Sequence, residues 1–359
     1  MRSPTPTFWS GKKVLVTGHT GFKGSWLIHL LHSLGADVHG LSIGIPTNPS
    51  PFEVSRVESK LASDTRGDIC SATVVESVFN AIQPEIVFHL AAQPLVQVGY
   101  SDPAGTFKTN VLGTVHVLEA IRTRDCVRSA VMVTTDKVYE NHEWVFPYRE
   151  IDPLGGSDPY SASKAAAEMA ISGYQSSVQF NDAPVAVSAR AGNVIGGGDW
   201  SQGRLLPDLM RTLNTDSLME VRNPDSTRPW QHVLDPLVGY LLLAESVHAN
   251  ESSGFPVSWN FGPSFSSVQS VQSVIDLVEQ QSGTRIQSAK SKQVLPKEHT
   301  LLALDSTQAH QFLEWRPKLN FQDSLQWTLD WHAALDNDSD MRAFTEEQIA
   351  HYLELGSLP

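Results

Sequence analysis

The chain has 359 residues, of which 41% are hydrophobic, and its formal net charge at pH 7 is −13. This length and apolar content allow two domains, or one large domain with a smaller lobe, built on a sizeable core. The acidic balance argues against a general nucleic-acid binder, which needs a basic face, but it leaves room for an anionic small molecule held by a few basic side chains.

Cysteine usage and the N-terminus indicate an intracellular protein. The two cysteines, Cys70 and Cys126, stand outside any CxxC or Cys/His cluster, so we expect neither a zinc site nor a disulfide framework. The segment MRSPTPTFWSGKK lacks the apolar core of a signal peptide, and no apolar run is long enough to cross a bilayer. We therefore predict a cytoplasmic protein with no metal site, no membrane segment and no nucleic-acid partner.

Short apolar runs alternate with helical patterns through the first half of the chain. The predicted strands are 14–16, 36–41, 86–91, 130–133 and 185–189. Apolar residues recur at helical spacing in 27–34, which Gly35 closes, and in 110–124, while 160–174 is alanine-rich. This alternation predicts an α/β fold of the Rossmann type, in which a doubly wound parallel sheet carries helices on both faces.

The pattern loosens after about Arg190. Loops rich in Gly, Pro and Trp appear there, and helical spacing returns at 268–281 and 321–334. We expect a smaller, mixed C-terminal lobe that contacts substrate through its loops. The predicted Rossmann domain spans 1–189 with return segments near 232–262, the predicted lobe spans 190–231 and 263–359, and the polar residues after about 337 are expected to pack loosely.

The segment VTGHTGFKGSW places Gly18, Gly21 and Gly24 between the first predicted strand and the first predicted helix. This arrangement is typical of a dinucleotide pyrophosphate site, because the glycines allow close backbone approach and the helix N-terminus offers free N–H groups. The alternative is a glycine-rich turn without a ligand. The spacing is GxxGxxG instead of GxGxxG, and residues 38–44, toward the end of the second strand, include neither an acid for the ribose nor an arginine for a 2′-phosphate, so these local residues leave NAD and NADP open.

Tyr160 and Lys164 lie one helical turn apart in DPYSASKAAAE, and hence on one helix face. An ammonium group beside a phenol lowers the pKa of the phenol, and a phenolate beside a nicotinamide can take the proton of an alcohol while hydride leaves. A solvated helix face is the alternative, since YxxxK occurs often by chance. The preceding dinucleotide-type loop, and the strands ending in HLAAQ and VTTDK, favour the catalytic interpretation.

Together these motifs resemble those of the extended short-chain dehydrogenase/reductases that act on nucleotide sugars. More closely, VTGHTGFKGSW, HLAAQPLV, TTDKVYEN, DPYSASK, RAGNVIGGGDW and RPWQHVLDPL are similar to the CDP-glucose 4,6-dehydratases, over about Phe8 to His332. The resemblance implies a lyase that works on NAD without net redox change. C4 of CDP-glucose is oxidised, water leaves from C5 and C6, and the hydride returns to C6, which gives CDP-4-keto-6-deoxyglucose.

The resemblance also implies roles for individual residues. Thr135 would bond the sugar 4-oxygen, Asp136 would protonate the departing 6-hydroxyl, and Lys137 stands where a C5 base is expected. Tyr160 and Lys164 would serve both catalysis and cofactor binding. The other expected cofactor contacts are Gly18, Thr20, Gly21, Phe22, Lys23, Gly24, Asp68, Ile69, Leu90, Ala91, Ala92 and Asn110. The expected substrate contacts are Gln93, Asn193, Arg204, Arg222 and Arg228.

Several alternatives stay open at this stage. Lys137 could instead pair with Asp136 and only set geometry, and Lys23 could contact a phosphate or carry a solvated charge. At the level of function, the chain could be a 4-epimerase or reductase of another nucleotide sugar, or a non-catalytic NAD-binding scaffold. Relatives of this kind suggest a homodimer formed through the helices at 110–124 and 160–174, and a place in deoxysugar synthesis for surface polysaccharide.

Overall fold

The computed structural model describes residues 2–176, 185–213, 218–221, 223–250, 254–264, 267–290 and 301–356. Its strands in chain order are β1 (Lys13–Thr17), β2 (Asp37–Ser42), β3 (Ser63–Arg66), β4 (Ile86–His89), β5 (Ser129–Val133), β6 (Ala186–Ala191), β7 (Asn193–Ile195), β8 (Met219–Val221), β9 (Thr227–His232), β10 (Ser258–Phe261), β11 (Val268–Ser270) and β12 (Ser288–Lys290).

Fourteen α-helices are defined within these described ranges. They are α1 (Pro6–Trp9), α2 (Phe22–Ser33), α3 (Pro51–Val54), α4 (Ala72–Ile82), α5 (Val96–Ser101), α6 (Pro103–Phe107), α7 (Gly113–Arg122), α8 (Pro159–Gln175), α9 (Leu205–Leu213), α10 (Leu234–Ala249), α11 (Val271–Ser282), α12 (Thr307–Phe312), α13 (Phe321–Asp336) and α14 (Met341–Glu354). A π-helical turn, Lys108–Leu112, joins α6 to α7.

A parallel sheet of seven strands forms the centre of the molecule. The strand order is β3-β2-β1-β4-β5-β6-β10, and every neighbouring pair is parallel. The chain runs outward in both directions from β1 and β4, so a crevice forms between them at the carboxyl ends of the strands. This topology confirms the predicted Rossmann-type α/β fold.

Helices cover both faces of the sheet. On one face α4 buries Val75, Val78, Phe79 and Ile82, spaced as one helical stripe, in a cluster shared with α7 and α8. On the other face α2 and α10 share a cluster with Trp331 of α13 and Tyr352 of α14. Both sides of the sheet are therefore apolar, as the continuous apolar strand sequences predict.

Small sheets and helices form the lobe above the crevice. One sheet has the order β11-β9-β7 and the other pairs β12 with β8. Their apolar side chains pack with α9 and α11 in a separate cluster that includes Leu209 and Val274. Because α13 contributes to this cluster and also to the core beneath the sheet, the predicted domain boundaries stay a prediction.

The structure corrects three expectations about elements. The segment 268–281 begins as strand β11 before it becomes α11. Helix α10 was missed, because it is buried on nearly all sides and shows no amphipathic period. The segment 341–354 does not pack loosely: it forms α14, which lies against α2 and α13 and buries Met341, Ile349 and Tyr352.

No helix in the described parts of the chain combines the length and the apolar character that a membrane crossing requires.

Candidate active site

A cleft of about 720 Å³ lies along the carboxyl ends of β1, β4, β5 and β6. The glycine loop forms one end, and residues of the lobe such as Met219 and Val271 form the other. Of the predicted site residues, those that line it are Gly18, Thr20, Gly21, Phe22, Lys23, Gly24, Asp68, Ile69, Leu90, Ala91, Ala92, Gln93, Thr135, Asp136, Lys137, Tyr160, Lys164, Asn193, Arg204 and Arg228. Arg222 lies outside the described residues.

The glycine loop is shaped by close backbone contacts. Gly18 has a φ of +75°, and a Cβ added there would lie 2.6 Å from the amide nitrogen of Ala91. A Cβ at Gly24 would lie 2.2 Å from the carbonyl oxygen of Gly18. By contrast, a Cβ at Gly21, the residue that precedes α2, would meet only the Gly18 carbonyl oxygen, at 3.4 Å. The loop therefore packs tightly on the protein and is open toward the cleft at Gly21.

Asn110 differs from the other predicted cofactor residues, since it does not line the cleft. Its side chain is 1% exposed and lies behind the loop that follows β4. It accepts a hydrogen bond from the amide of Gln93 at 2.8 Å and donates to the hydroxyl of Ser163 at 2.9 Å. Asn110 thus ties the loop after β4 to α8, which holds Gln93 and the start of α8 in place.

Tyr160 and Lys164 share the inward face of α8, as their spacing predicts. Asp158 caps this helix by accepting a hydrogen bond from the amide of Ser161, which fixes where the helix starts. The Lys164 Nζ donates to the carbonyl oxygen of Val133, the last residue of β5, at 3.0 Å. This bond anchors the lysine to the edge of the cleft.

The electrostatics of this pair differ from the sequence expectation. Burial raises the pKa of Tyr160 to about 12, although the Thr135 hydroxyl and the charge of Arg204 act to lower it. Burial also lowers the pKa of Lys164 to about 8, against the charge of Glu168. Desolvation of the phenol therefore outweighs the Thr135 hydrogen bond and the Arg204 charge in the protein alone.

Thr135, Asp136 and Lys137 follow one residue after β5, and Thr135 caps the short 3₁₀ turn Asp136–Val138. The Thr135 hydroxyl donates to Asp136 Oδ1 at 3.0 Å and accepts from the amide of Lys137 at 3.4 Å. Asp136 is 1% exposed, and its Oδ2 has no hydrogen-bond partner among the described residues. Burial raises the pKa of Asp136, and the charges of Lys137, Arg228 and Lys23 oppose this rise.

Lys23 lies at the start of α2 with its ammonium near the centre of the cleft. Its Nζ stands 5.9 Å from the ring centroid of Tyr240, and its pKa falls to about 7 because of burial and then of the Arg204 charge. A partly buried ammonium with a lowered pKa is suited to an anionic ligand. Both interpretations of Lys23, contact with a phosphate and a solvated charge, stay predictions.

Two arginines reach the cleft from the lobe side. Arg204 pairs with the buried carboxylate of Asp199 at 2.9 Å, and Arg228 is 6% exposed and donates to the carbonyl oxygen of Thr227 at 2.8 Å. Sequence reasoning missed Asp199, which holds Arg204 in position. The aspartate of GGGDW stands five residues before Arg204 in the sequence. A spacing of five residues in a loop does not by itself predict an ion pair.

Comparison with known proteins supports the assignment of a family. A sequence model of the family described as GDP-mannose 4,6-dehydratase matches residues 15–328. CDP-glucose 4,6-dehydratase of Salmonella typhimurium is 41% identical over 352 residues, which cover 96% of this chain and 97% of that protein. dTDP-glucose 4,6-dehydratase of Haemophilus influenzae is 24% identical over 340 residues, which cover 89% and 97%.

Solved structures share the fold at lower identity. dTDP-glucose 4,6-dehydratase of Bacillus anthracis in complex with NAD has a TM-score of 0.76 and 21% identity, covering 92% of this chain and 99% of that one. UDP-glucose 4-epimerase of Thermotoga maritima with UDP-glucose has a TM-score of 0.77 and 22% identity, covering 90% and 99%. The sequence relatives and the family match establish that this chain belongs to the nucleotide-sugar 4,6-dehydratases, as its motifs predict.

Proposed function

We propose that the protein is a CDP-glucose 4,6-dehydratase, which forms CDP-4-keto-6-deoxyglucose and water with NAD as its cofactor. The observation that carries this proposal is Asp136. It is a buried acid with an oxygen that lacks a partner among the described residues, and it stands in the same cleft as Tyr160 and Lys164. An epimerase needs no acid for a leaving hydroxyl, whereas a dehydratase does.

NAD fits the half of the cleft that the glycine loop forms. The open face of Gly21 at the N-terminus of α2 suits a pyrophosphate, because backbone N–H groups there are free to bind an anion. Asp68 and Ile69 line the cleft farther along and would hold the adenosine. Bound NAD supplies the hydride acceptor for C4 and the hydride donor for C6.

Oxidation at C4 needs a base, and Tyr160 is placed to take the proton of the 4-hydroxyl. Its pKa of about 12 in the protein alone makes the phenolate costly, so positive charge near the phenol is required at neutral pH. Lys164, with a pKa near 8, supplies such a charge from the next turn of α8. Thr135 would hold the 4-oxygen beside the phenol.

Elimination needs a base at C5 and an acid at C6. The raised pKa of Asp136 favours its protonated form, which can deliver a proton to the departing 6-hydroxyl. Lys137 lines the same part of the cleft, and we assign the C5 base to it. The charge of Lys137 also acts to lower the pKa of Asp136. This interaction supports the alternative, in which Lys137 pairs with Asp136 and only sets the geometry of the site.

The lobe side of the cleft would hold the nucleotide. Arg204 and Arg228 are the described cations there, and guanidinium groups match phosphate oxygens in pairs. Asn193 and Gln93 line the cleft between these arginines and the catalytic residues and would contact the sugar. This assignment makes the loops of 190–231 the substrate-binding part of the lobe.

We also propose that the protein forms a homodimer through the helices around α8. Exposed apolar side chains gather on these packed helices: Tyr100 of α5, Phe107 of α6, Leu112 of the π-turn and Met169 of α8. Ala165 of the alanine-rich helix α8 lies outside this contact, because it packs inside the protein's own core. Cytoplasmic location and a role in surface polysaccharide synthesis remain predictions.

The proposed function is tested by supplying purified protein and NAD with CDP-, dTDP-, UDP- and GDP-linked hexoses in separate reactions. Loss of one water from CDP-glucose, without net NADH, is the expected result. An isomer of unchanged mass would favour the epimerase, and turnover of another nucleotide sugar in place of CDP-glucose would contradict the proposed substrate.

A further inference from the structure

A buried ion pair lies directly behind the catalytic residues and outside the cleft. Glu168 stands one helical turn after Lys164 on α8 and pairs with Arg190 of β6 at 2.7 Å, and both side chains are 2% exposed. The Glu168 carboxylate also accepts hydrogen bonds from the hydroxyls of Thr134 and Ser188. None of the catalytic or binding roles described above includes this pair.

The ion pair joins the two segments that carry the catalytic groups. Thr134 donates to Glu168, and it immediately precedes the segment that begins with Thr135. Lys164 donates to the carbonyl oxygen of Val133. Lys164 and Glu168, which are one turn apart on α8, therefore bind Val133 and Thr134 at the end of β5. These two hydrogen bonds fix the end of the strand against the helix.

The surroundings of Lys164 make Glu168 its electrostatic partner. Lys23 of α2 and His89 of β4 face the ammonium, and neither stabilises its charge: Lys23 is a like charge, and burial holds the pKa of His89 at about 3. Burial favours the neutral form of Lys164, and among the described residues the Glu168 carboxylate is the group that opposes this effect. Glu168 therefore acts to raise the pKa of Lys164, against the effect of burial.

We propose that Glu168 is a positioning residue for the reaction: paired with Arg190, its carboxylate ties the catalytic end of β5 to α8 and sets the surroundings of Lys164. The link between Glu168 and catalysis rests on the proposed function. The effect of Glu168 on the pKa of Lys164 is independent of that function and can be measured in the protein without substrate.

The test is an NMR titration of the Lys164 side chain, whose signal is assigned with Lys164→Arg. In Glu168→Gln the pKa of Lys164 should fall by about one unit or more, because the opposing charge is gone. Ser188→Ala is the matched control: it removes one hydrogen bond to the same carboxylate but keeps the charge, so the pKa should stay at its native value. Glu168→Asp also keeps the charge, so the pKa of Lys164 in this variant should stay close to its native value.

Dehydration of CDP-glucose is then followed against pH. Glu168→Gln should lose activity at a lower pH than the native enzyme as the pH rises, since Lys164 loses its proton earlier. An unchanged Lys164 pKa together with the same fractional loss of activity at every pH would overturn the proposal. A native enzyme that is inactive on CDP-glucose would overturn the proposed function instead, and the titration would still decide the role of Glu168.

Glu168→Gln leaves Arg190 without its carboxylate, which could prevent folding. The double variant Glu168→Gln with Arg190→Gln leaves neither member of the ion pair as an unpaired charge and has side chains of similar size. Its Lys164 pKa should also fall, because Glu168 is the charge that acts on Lys164. A native pKa in this variant would contradict the proposal.

Discussion

At the scale of single residues, Asp136 distinguishes dehydration from epimerisation. Its carboxylate is buried, one oxygen is held by the Thr135 hydroxyl, and the other has no partner among the described residues. Burial raises the pKa of this acid. These properties suit a group that gives its proton to a leaving hydroxyl.

Replacing Asp136 by Asn should therefore stop elimination but not the steps before it. We expect the rate of product formation to fall by about 10²- to 10⁴-fold, the usual contribution of a general acid. Exchange of the C5 proton with deuterated water should continue in recovered CDP-glucose, measured by NMR. Product formation at the native rate would exclude Asp136 as the acid.

Lys137→Met tests the other half of the elimination. If Lys137 is the C5 base, this variant should lose both product formation and deuterium exchange at C5, in contrast to Asp136→Asn. If the variant eliminates at an undiminished rate, Lys137 only sets the geometry of Asp136 and another group removes the proton.

At the scale of elements, the glycine loop shows how much a motif predicts. The order of strand, glycine turn and helix follows from the sequence, because Gly18 and Gly24 stand where a side chain would collide and Gly18 also needs a positive φ. Helix α10 does not follow from it, because complete burial removes the period that reveals a helix. Helix α14 was missed for the opposite reason, since its polar composition hides the few residues that it buries.

Gly18→Ala should destabilise the fold by about 1–3 kcal/mol, because alanine would have a positive φ and a Cβ 2.6 Å from the Ala91 nitrogen. The free energy of unfolding in denaturant measures this effect. Gly44→Ala is the control, since a Cβ there meets nothing within 4 Å and the stability should not change. Equal stability of the two variants would contradict the strain at Gly18.

The junction of α10 and α14 predicts a pH dependence of stability. Asp235 Oδ1 accepts from the Tyr352 hydroxyl at 2.6 Å, and burial raises the pKa of Asp235 to about 7. Between about pH 4 and 7 the folded state then holds a proton that the unfolded state has lost, so stability falls as the pH rises through this window.

Asp235→Asn should remove this decrease in the free energy of unfolding, which amounts to at most about 4 kcal/mol between pH 4 and 7. Denaturant unfolding at several pH values measures the decrease. Asp330→Asn, which changes an exposed carboxylate on α13, should keep the native pH dependence. Parallel stability curves for the native protein and Asp235→Asn would show that Asp235 is not the group responsible.

At the scale of the whole molecule, the sheet topology and the cleft could be predicted, because apolar strands alternate with helices and the glycine loop, HLAAQ and VTTDK motifs follow strand ends. What could not be predicted depends on contacts between distant segments. The rise of the Tyr160 pKa comes from burial by the surrounding elements, and the partner of Lys164 is identified only when α8 is seen against β5 and β6.

The proposed dimer is tested on the exposed face of α8. Met169, which is 65% exposed, should lie in the contact, so Met169→Glu should give a monomer mass by light scattering where the native protein gives a dimer. Phe312→Glu on α12 is the control, because α12 packs on the opposite side of the sheet. A native monomer at micromolar concentration would contradict the proposal.

The central claim is that one site oxidises C4, eliminates water and returns the same hydride to C6. The most direct test is to supply CDP-glucose that carries deuterium at C4 and to examine the product by mass spectrometry and NMR. We expect a product that has lost one water and carries the deuterium on C6, without net formation of NADH. A product with no deuterium, or an isomer of unchanged mass, would contradict it.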